Sequence, residues 1–219
     1  MTRRRFPVGK TLLYVFMSLW ALTTIYPFIW VILNSFKPRG LIRSDTFSLP
    51  IGDKFTLENY VTAFKRVDIG TAYVNSIVIS GAVTVVVMVL AGLAAHAMVR
   101  YSFRLRGFLH SMIIASMMFP VFSTIIPVFR MESSWGIVNT GSIWLTRLSV
   151  VLPQIAGNLS FAIIVLMGFI RSLPVDLEEA AYLEGYNVYQ IFFRIIMPLA
   201  KPIFATVGTF TFLWIYHDL

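Results

Sequence analysis

The residues best suited to specific chemistry lie in a short polar stretch between two long apolar segments. This stretch carries Asp176, Glu178, Glu179 and Glu184, in a chain whose net charge is +8. A carboxylate on a surface helix can form a charge-assisted pair with an arginine of another protein. A turn between two apolar segments needs only a few residues, so a long acidic turn indicates a docking site. A well-capped surface hairpin without a partner is the alternative that these residues leave open.

Residue sets that support catalysis or metal binding are missing from the sequence. The three histidines, His96, His110 and His217, are far apart and lack the spacing of metal ligands. The chain has no cysteine, which excludes disulfides, thiol catalysis and thiolate metal sites. No glycine-rich phosphate loop, Ser-His-Asp set or carboxylate pair occurs in the apolar segments. We therefore predict no catalytic residue, no metal and no cofactor, so that another chain must supply any energy.

The composition indicates an integral membrane protein. Hydrophobic residues make up 58% of the chain and charged residues only 13%, about half of the charged share in a soluble domain. The basic residues form short clusters beside apolar segments, which is how membrane orientation is encoded. They form no basic face on which a duplex could lie, so we predict no nucleic-acid binding.

The apolar segments predict an all-α, polytopic membrane helix bundle. A membrane span needs about 20 apolar residues, and continuous apolar runs indicate helices rather than barrel strands. Residues 1–70 hold the first helix and an outer loop, and residues 71–219 hold the remaining spans. The first apolar run is too long for a cleaved signal peptide. Five spans are predicted, at Thr11–Leu33, Ala72–Met98, Phe108–Val128, Leu148–Ile170 and Pro202–Leu219.

Lysine and arginine clusters predict the orientation. One cluster, Arg3 to Arg5 with Lys10, precedes the first span, and a second follows the second span. The positive-inside rule places both in the cytoplasm together with the N-terminus. Residues 37–70 then lie outside and residues 171–201 inside. We expect phosphate headgroups to bind the second cluster, which consists of Arg100, Arg104 and Arg106.

Capping signals predict a helical hairpin over residues 176–198. Asp176 is placed to cap the first helix, with Glu179 as its capping-box partner. Gly185 stands where a helix ends with positive φ. Asn187 is placed to cap a second helix over Val188–Ile196.

The sequence of this hairpin resembles the signature loop of binding-protein-dependent ABC importer permeases. The matching residues are Glu179-Ala180-Ala181, then Gly185, and then Ile195 and Pro198. Further similarity to the carbohydrate-importer branch, which includes the maltose transporter, lies in Phe55–Tyr60, Asn75-Ser76, Ala94–Ala97, Arg100–Phe103, Gly168–Pro174 and Phe192–Pro198. Met197 replaces the usual leucine, a substitution that conserves volume.

The resemblance implies a type I ABC importer permease that forms half of a pore for sugars or oligosaccharides in a bacterial or archaeal cell membrane. The implied partners are a second homologous permease subunit, a dimer of cytoplasmic ATP-binding subunits, an extracytoplasmic solute-binding protein and membrane lipid. Glu179 matches the glutamate that pairs with an ATPase arginine. A sixth span is implied beyond Leu219, so we expect the chain to be truncated. The residues assigned to ATPase docking are Glu179, Ala180, Ala181, Gly185, Ile195 and Pro198.

Prolines and polar residues inside the spans predict a substrate path. Pro120 and Pro127 remove helical hydrogen bonds, either to line a path or only to kink the helix. Gln154 and Asn158 either contact substrate or bind neighbouring helices. The alternative function is a secondary, ion-coupled transporter, which needs ionisable residues within the spans. The predicted spans offer almost none.

Overall fold

The computed structural model describes residues 8–219, and every regular element in this range is helical. The prediction of an all-helical protein is therefore confirmed. The chain forms two compact units, the first ending at Ala72 and the second consisting of Tyr73–Leu219.

The first unit is built on one long helix followed by short ones. Helix α1 contains Pro27 and is followed by segments that are too short to span a membrane. These elements are α1 Val8–Ser35, α2 Arg39–Ser44, a 3₁₀ turn at Gly52–Lys54, and α3 Glu58–Arg66.

Hydrogen bonds fasten the segment after α1 to the end of that helix. The Asn59 side-chain amide donates to the backbone oxygens of Ser35 and Lys37, at 3.0 and 2.7 Å. The bond to Ser35 satisfies a carbonyl that the end of α1 leaves without a helical partner. Lys37 is fully buried, and its ammonium donates to the backbone oxygens of Asp45 and Thr46 at 3.2 and 2.8 Å. The predicted outer loop is thus an ordered structure.

The second unit is a helical bundle with small and apolar residues at its centre. Buried residues recur every three to four positions along its long helices, as on one face of an α-helix. On α4 these include Val83, Val87, Ala91 and Ala95. The helices are α4 Ile69–Arg100, α5 Arg106–Ser116, α6 Val121–Ser134, α7 Ile143–Ile170, α8 Asp176–Leu183, α9 Val188–Ile191, a π-helical turn at Phe192–Ile196, α10 Met197–Leu199 and α11 Lys201–Asp218.

The number of membrane-length helices differs from the five predicted. Within residues 8–219, three helices are long and apolar enough to cross a membrane: Gly9–Ser35, Ile69–Arg100 and Ile143–Ile170. The count becomes four if Val188–Leu199 and Lys201–Asp218, which meet at 83°, form one broken span.

The predicted third span, Phe108–Val128, is wrong as a single helix. It is divided between α5 and α6, which are separated by residues 117–120. Pro120 stands at the start of α6, in an extended conformation. Proline has no N–H to continue a helix and disfavours the helical conformation of the residue before it. The apolar run therefore continues through residues where the helix does not.

Gly92 on α4 allows the bundle to close around two aromatic rings. A Cβ at this position would lie 2.8 Å from Cζ of Phe192 and 2.7 Å from Cζ of Phe204. Since Phe192 is fully buried, its ring has little room to move. We expect Gly92→Ala to lower the free energy of unfolding by about 1–3 kcal/mol, the usual cost of overpacking, as measured by thermal unfolding of the purified protein.

Gly81 provides the control for this prediction, because it lies on the same helix and a Cβ added there would meet no atom within 4 Å. Gly81→Ala should leave stability unchanged or raise it slightly, since alanine favours a helix over glycine. Equal losses from both substitutions would show that close packing at Gly92 is not the cause.

Candidate functional site

The predicted hairpin is present, and Gly185 forms its turn. Helix α8 covers Asp176–Leu183, and Gly185 has φ +85°. The N–H of Tyr186 donates to the oxygen of Ala181, and the N–H of Gly185 donates to the oxygen of Tyr182, both at 3.0 Å. These two bonds define the Schellman motif, in which a left-handed residue ends a helix. The predicted role of Gly185 as the helix-ending residue is confirmed.

Asn187 caps the second helix as predicted. Its side-chain oxygen accepts from the N–H of Gln190 at 2.9 Å, and the Gln190 side chain accepts from the N–H of Asn187 at 2.8 Å. This is a complete capping box. The helical stretch runs beyond the predicted end at Ile196 to Leu199, through the π-helical turn at Phe192–Ile196.

The prediction that Asp176 caps α8 is wrong. Val175 occupies the cap position with helical backbone angles, and no side chain caps this helix end. Because the chain becomes helical one residue earlier than predicted, Asp176 lies inside the first turn. There its charge still interacts favourably with the helix dipole. The capping-box role predicted for Glu179 fails for the same reason, so its carboxylate is not used at this helix end.

A buried network that the sequence reasoning missed joins the hairpin to α4. Only 3% of Glu178 is exposed, and its Oε2 lies 2.9 Å from Nε2 of His96, which is 1% exposed. Its Oε1 accepts from Nε of Arg100 at 2.5 Å. A second nitrogen of Arg100 donates to the backbone oxygen of Leu173 at 2.9 Å. Both carboxylate oxygens of Glu178 are therefore satisfied by one end of α4.

A hydroxyl pair adds to this connection. Tyr101, directly after α4, hydrogen-bonds through its hydroxyl to the hydroxyl of Tyr182 on α8. Burial, with a smaller contribution from Tyr182, raises the pKa of Tyr101, so this phenol stays protonated and able to donate. Together with the Glu178 network, the pair holds α8 against the end of α4 along its length.

One expectation from the sequence changes as a result. Arg100, expected to bind a lipid headgroup, has its guanidinium occupied by Glu178 and Leu173. His96 lies about one turn before the end of α4 and is fully buried beside Glu178. One signal was available in the sequence: Glu178 and Ala181 are three residues apart and lie on the same helix face. Both are buried.

The residues assigned to docking divide into an outer and an inner group. Glu179, Ala180, Gly185 and Pro198 are exposed, whereas Ala181 is buried and Ile195 is half-buried against the core. Leu183 is 91% exposed, which is unusual for a leucine on an ordered helix. The outer group and Leu183 are accessible to another protein, while Ala181 and Ile195 pack the hairpin onto the bundle.

The residues assigned to a substrate path are only partly brought together. Asn158 lines a cavity of about 490 Å³ formed by α5, α7 and α11, and Gln154 lies one turn away with its amide 3.5 Å from the Asp218 carboxylate. Pro127 lies within α6 and Pro120 at its start; neither lines this cavity. The cavity is lined by Ser116, Met117, Ala156, Gly157, Asn158, Ser160, Phe161, Phe210, Thr211 and Trp214.

The sequence of this chain places it in a known family. Residues 88–219, which include α8, the turn and the second hairpin helix, match the binding-protein-dependent transport system inner membrane component. The chain belongs to this family of ABC transporter permeases, which are multi-pass proteins of the inner membrane.

Individual relatives agree with this assignment. The chain is 34% identical over 205 residues to the diacetylchitobiose uptake system permease protein NgcG of Streptomyces coelicolor, covering 94% of this chain and 65% of the relative. It is 32% identical to the trehalose transport system permease protein SugB of Mycobacterium tuberculosis, covering 89% and 68%. The chain thus spans about two thirds of the length of the curated relatives it matches.

A solved structure shares the fold. The crystal structure of a bacterial ABC transporter involved in the import of the acidic polysaccharide alginate matches with a TM-score of 0.79. The match covers 98% of this chain and 73% of that chain, at 22% identity. At this identity, the likeness supports the fold alone.

Proposed function

We propose that this chain is the permease subunit of an ATP-driven importer of sugars or oligosaccharides. It forms half of the pore, and a second homologous permease forms the other half. The hairpin at residues 176–198 docks a dimer of cytoplasmic ATP-binding subunits, and an extracytoplasmic solute-binding protein delivers the substrate. The N-terminus lies in the cytoplasm, and the complete protein has the six-span type I arrangement.

This proposal rests on the different surroundings of two adjacent glutamates, one exposed and one buried. Glu179 is exposed, whereas Glu178 is buried and bonded to α4. A carboxylate that is exposed on a firmly held helix can bind an arginine of a partner without losing its position. Movement of the partner is then passed to α4 through Glu178. Such rigid-body movement is a common way in which a ligand shifts a protein between two packings.

The assignment of sugar as the substrate class rests on the relatives and on the chemistry of the α5–α7–α11 cavity. The named relatives belong to systems for diacetylchitobiose uptake and trehalose transport. The polar residues Asn158 and Ser160 line the cavity together with the aromatic residue Trp214. Such groups suit a ligand rich in hydroxyls. Gln154 and Asn158 form one part of the proposed path, and the other part consists of Pro120, at the α5–α6 break, and Pro127 within α6.

Glu179→Gln tests the docking role. Because the structure contains no capping bond at Glu179, the substitution removes only its charge. We expect co-purification of the ATP-binding subunits, and ATP hydrolysis stimulated by the binding protein, to fall about tenfold, since a hydrogen bond to a charged group contributes about 1.5–3 kcal/mol. Glu184→Gln, which removes another exposed carboxylate on the same hairpin, serves as the control.

If the ATP-binding subunits co-purify with the Glu179→Gln variant as well as they do with the wild type, the proposed ion pair is contradicted. The wider proposal is tested by uptake of labelled oligosaccharides into vesicles that contain the complete transporter. Uptake that needs an ion gradient but no ATP would favour the secondary transporter instead.

A further inference from the structure

Three basic side chains converge on a second cavity, at the end of the bundle that carries the hairpin. The cavity has a volume of about 280 Å³ and is lined by Arg106 and His110 of α5, Arg171 after α7, and three uncharged residues, Met98, Gly107 and Met167. Arg106 and His110 are four residues apart, so both lie on the same face of α5. This cavity is separate from the α5–α7–α11 cavity and from the Glu178 network.

No acidic side chain neutralises these bases within residues 8–219. The ion pairs in that range join Lys54 to Asp45, and Glu178 to His96 and Arg100. Two arginines that line one cavity repel each other unless an anion lies between them. The cavity therefore has the electrostatics of an anion site, and the described residues do not supply the anion.

The geometry favours a phosphate group. Arginine binds phosphate through two parallel hydrogen bonds, and two arginines can hold one group from opposite sides. Helix α5 begins at Arg106 and has no side-chain cap, so its first N–H groups and its positive dipole end lie at the same place. Met98 and Met167 are buried and give the cavity an apolar floor.

The position of the cavity identifies the source of that phosphate. Arg171 ends the long apolar helix α7, and five residues later the hairpin begins. The cavity thus lies where an apolar helix end meets the polar surface, the depth of lipid headgroups. Basic pockets between membrane helices bind anionic headgroups there. We propose that Arg106, His110 and Arg171 bind the phosphate of an anionic phospholipid, with its acyl chains leaving along α5 and α7.

The neighbouring arginines differ from these three in ways that provide controls. Arg100 is occupied by Glu178. Arg104 is exposed and belongs to the same cluster in the sequence, but does not line the cavity. If charge density alone retained lipid, Arg104 would matter as much as Arg106.

The experiment uses the complete transporter, purified from membranes that contain phosphatidylglycerol. Native mass spectrometry counts the lipids retained by wild type, by the double variant Arg106→Gln/Arg171→Gln, and by Arg104→Gln. We expect the double variant to lose retained phosphatidylglycerol by on the order of tenfold, since two charge-assisted contacts are removed. Arg104→Gln should keep the wild-type amount. Equal retention by wild type and the double variant would overturn the proposal.

Two further measurements separate the possible outcomes. Wild-type complex in phosphatidylglycerol nanodiscs should unfold at a higher temperature than in phosphatidylcholine nanodiscs. This comparison uses only the wild-type protein, so it does not depend on whether a variant folds. Inorganic phosphate is then added at millimolar concentration to complex in phosphatidylcholine. A stabilisation by phosphate that matches that by phosphatidylglycerol would assign the site to a soluble phosphate and overturn the lipid assignment.

Discussion

Glu178→Ala is expected to lower the free energy of unfolding of the second unit by about 3–5 kcal/mol, the usual cost of removing one partner from a buried ion pair. The substitution leaves the Arg100 guanidinium without its carboxylate, and only 13% of the Arg100 side chain is exposed. Thermal unfolding of the purified complex measures the loss. Glu178→Gln should cost less, because glutamine still fills the site and can still hydrogen-bond.

Glu184→Ala is the matched control, since Glu184 is an exposed carboxylate at the end of the same helix. It should change stability by no more than about 0.5 kcal/mol, as is usual for surface substitutions. The double variant Glu178→Gln/Arg100→Gln should lose less than the sum of the two single changes, because the two residues share one interaction. Additive losses, or equal losses from Glu178→Ala and Glu184→Ala, would mean that α8 is not held to α4 through this pair.

Gly185→Val is expected to reduce substrate uptake by at least tenfold at an equal amount of permease in the membrane. Gly185 has φ +85°, and a Cβ there would meet no atom within 4 Å. The effect therefore comes from backbone strain rather than from a clash, because a β-branched residue is a conformational outlier at positive φ. Relief of that strain changes the angle between the two hairpin helices. Uptake and ATPase co-purification are measured together.

Gly136 provides a control with the same strain at a different place. It has φ +69° in the connection between α6 and α7, outside the hairpin. Gly136→Val should lower stability but leave ATPase co-purification intact. Gly185→Asn should retain much more uptake than Gly185→Val, since asparagine tolerates the left-handed conformation. If all three variants transport equally, the geometry of the Gly185 turn does not couple the subunits.

The parts of the hairpin that the sequence predicts are those determined by neighbouring residues. The turn glycine and the Asn187–Gln190 capping box each depend on residues within about five positions of one another, so spacing alone predicts them. The errors in the hairpin, at the Asp176–Glu179 cap and at the end of the second helix, concern helix boundaries. Such boundaries depend on small differences in backbone conformation.

The parts that the sequence does not predict depend on distant residues. Glu178 lies 82 positions from His96 and 78 from Arg100, and no local pattern pairs residues across such a separation. Burial of a glutamate is also unexpected, since carboxylates are seldom buried unless paired. The hydropathy of Phe108–Val128 likewise predicts one span because it averages over Pro120. Hydropathy measures the cost of leaving water and not the continuity of a helix.

The helical segment Val188–Leu199 lies nearly perpendicular to α11, because the two meet at 83° around Ala200. A force on the hairpin end of this segment therefore acts at a distance from the axis of α11. The segment has a length of about 18 Å, at 1.5 Å per residue. A displacement of about 3 Å at its Asn187 end therefore corresponds to a turn of about 10° at the joint. A partner that pushes on the hairpin would apply a torque to α11, so a small translation at the surface becomes a rotation of a helix that lines the α5–α7–α11 cavity.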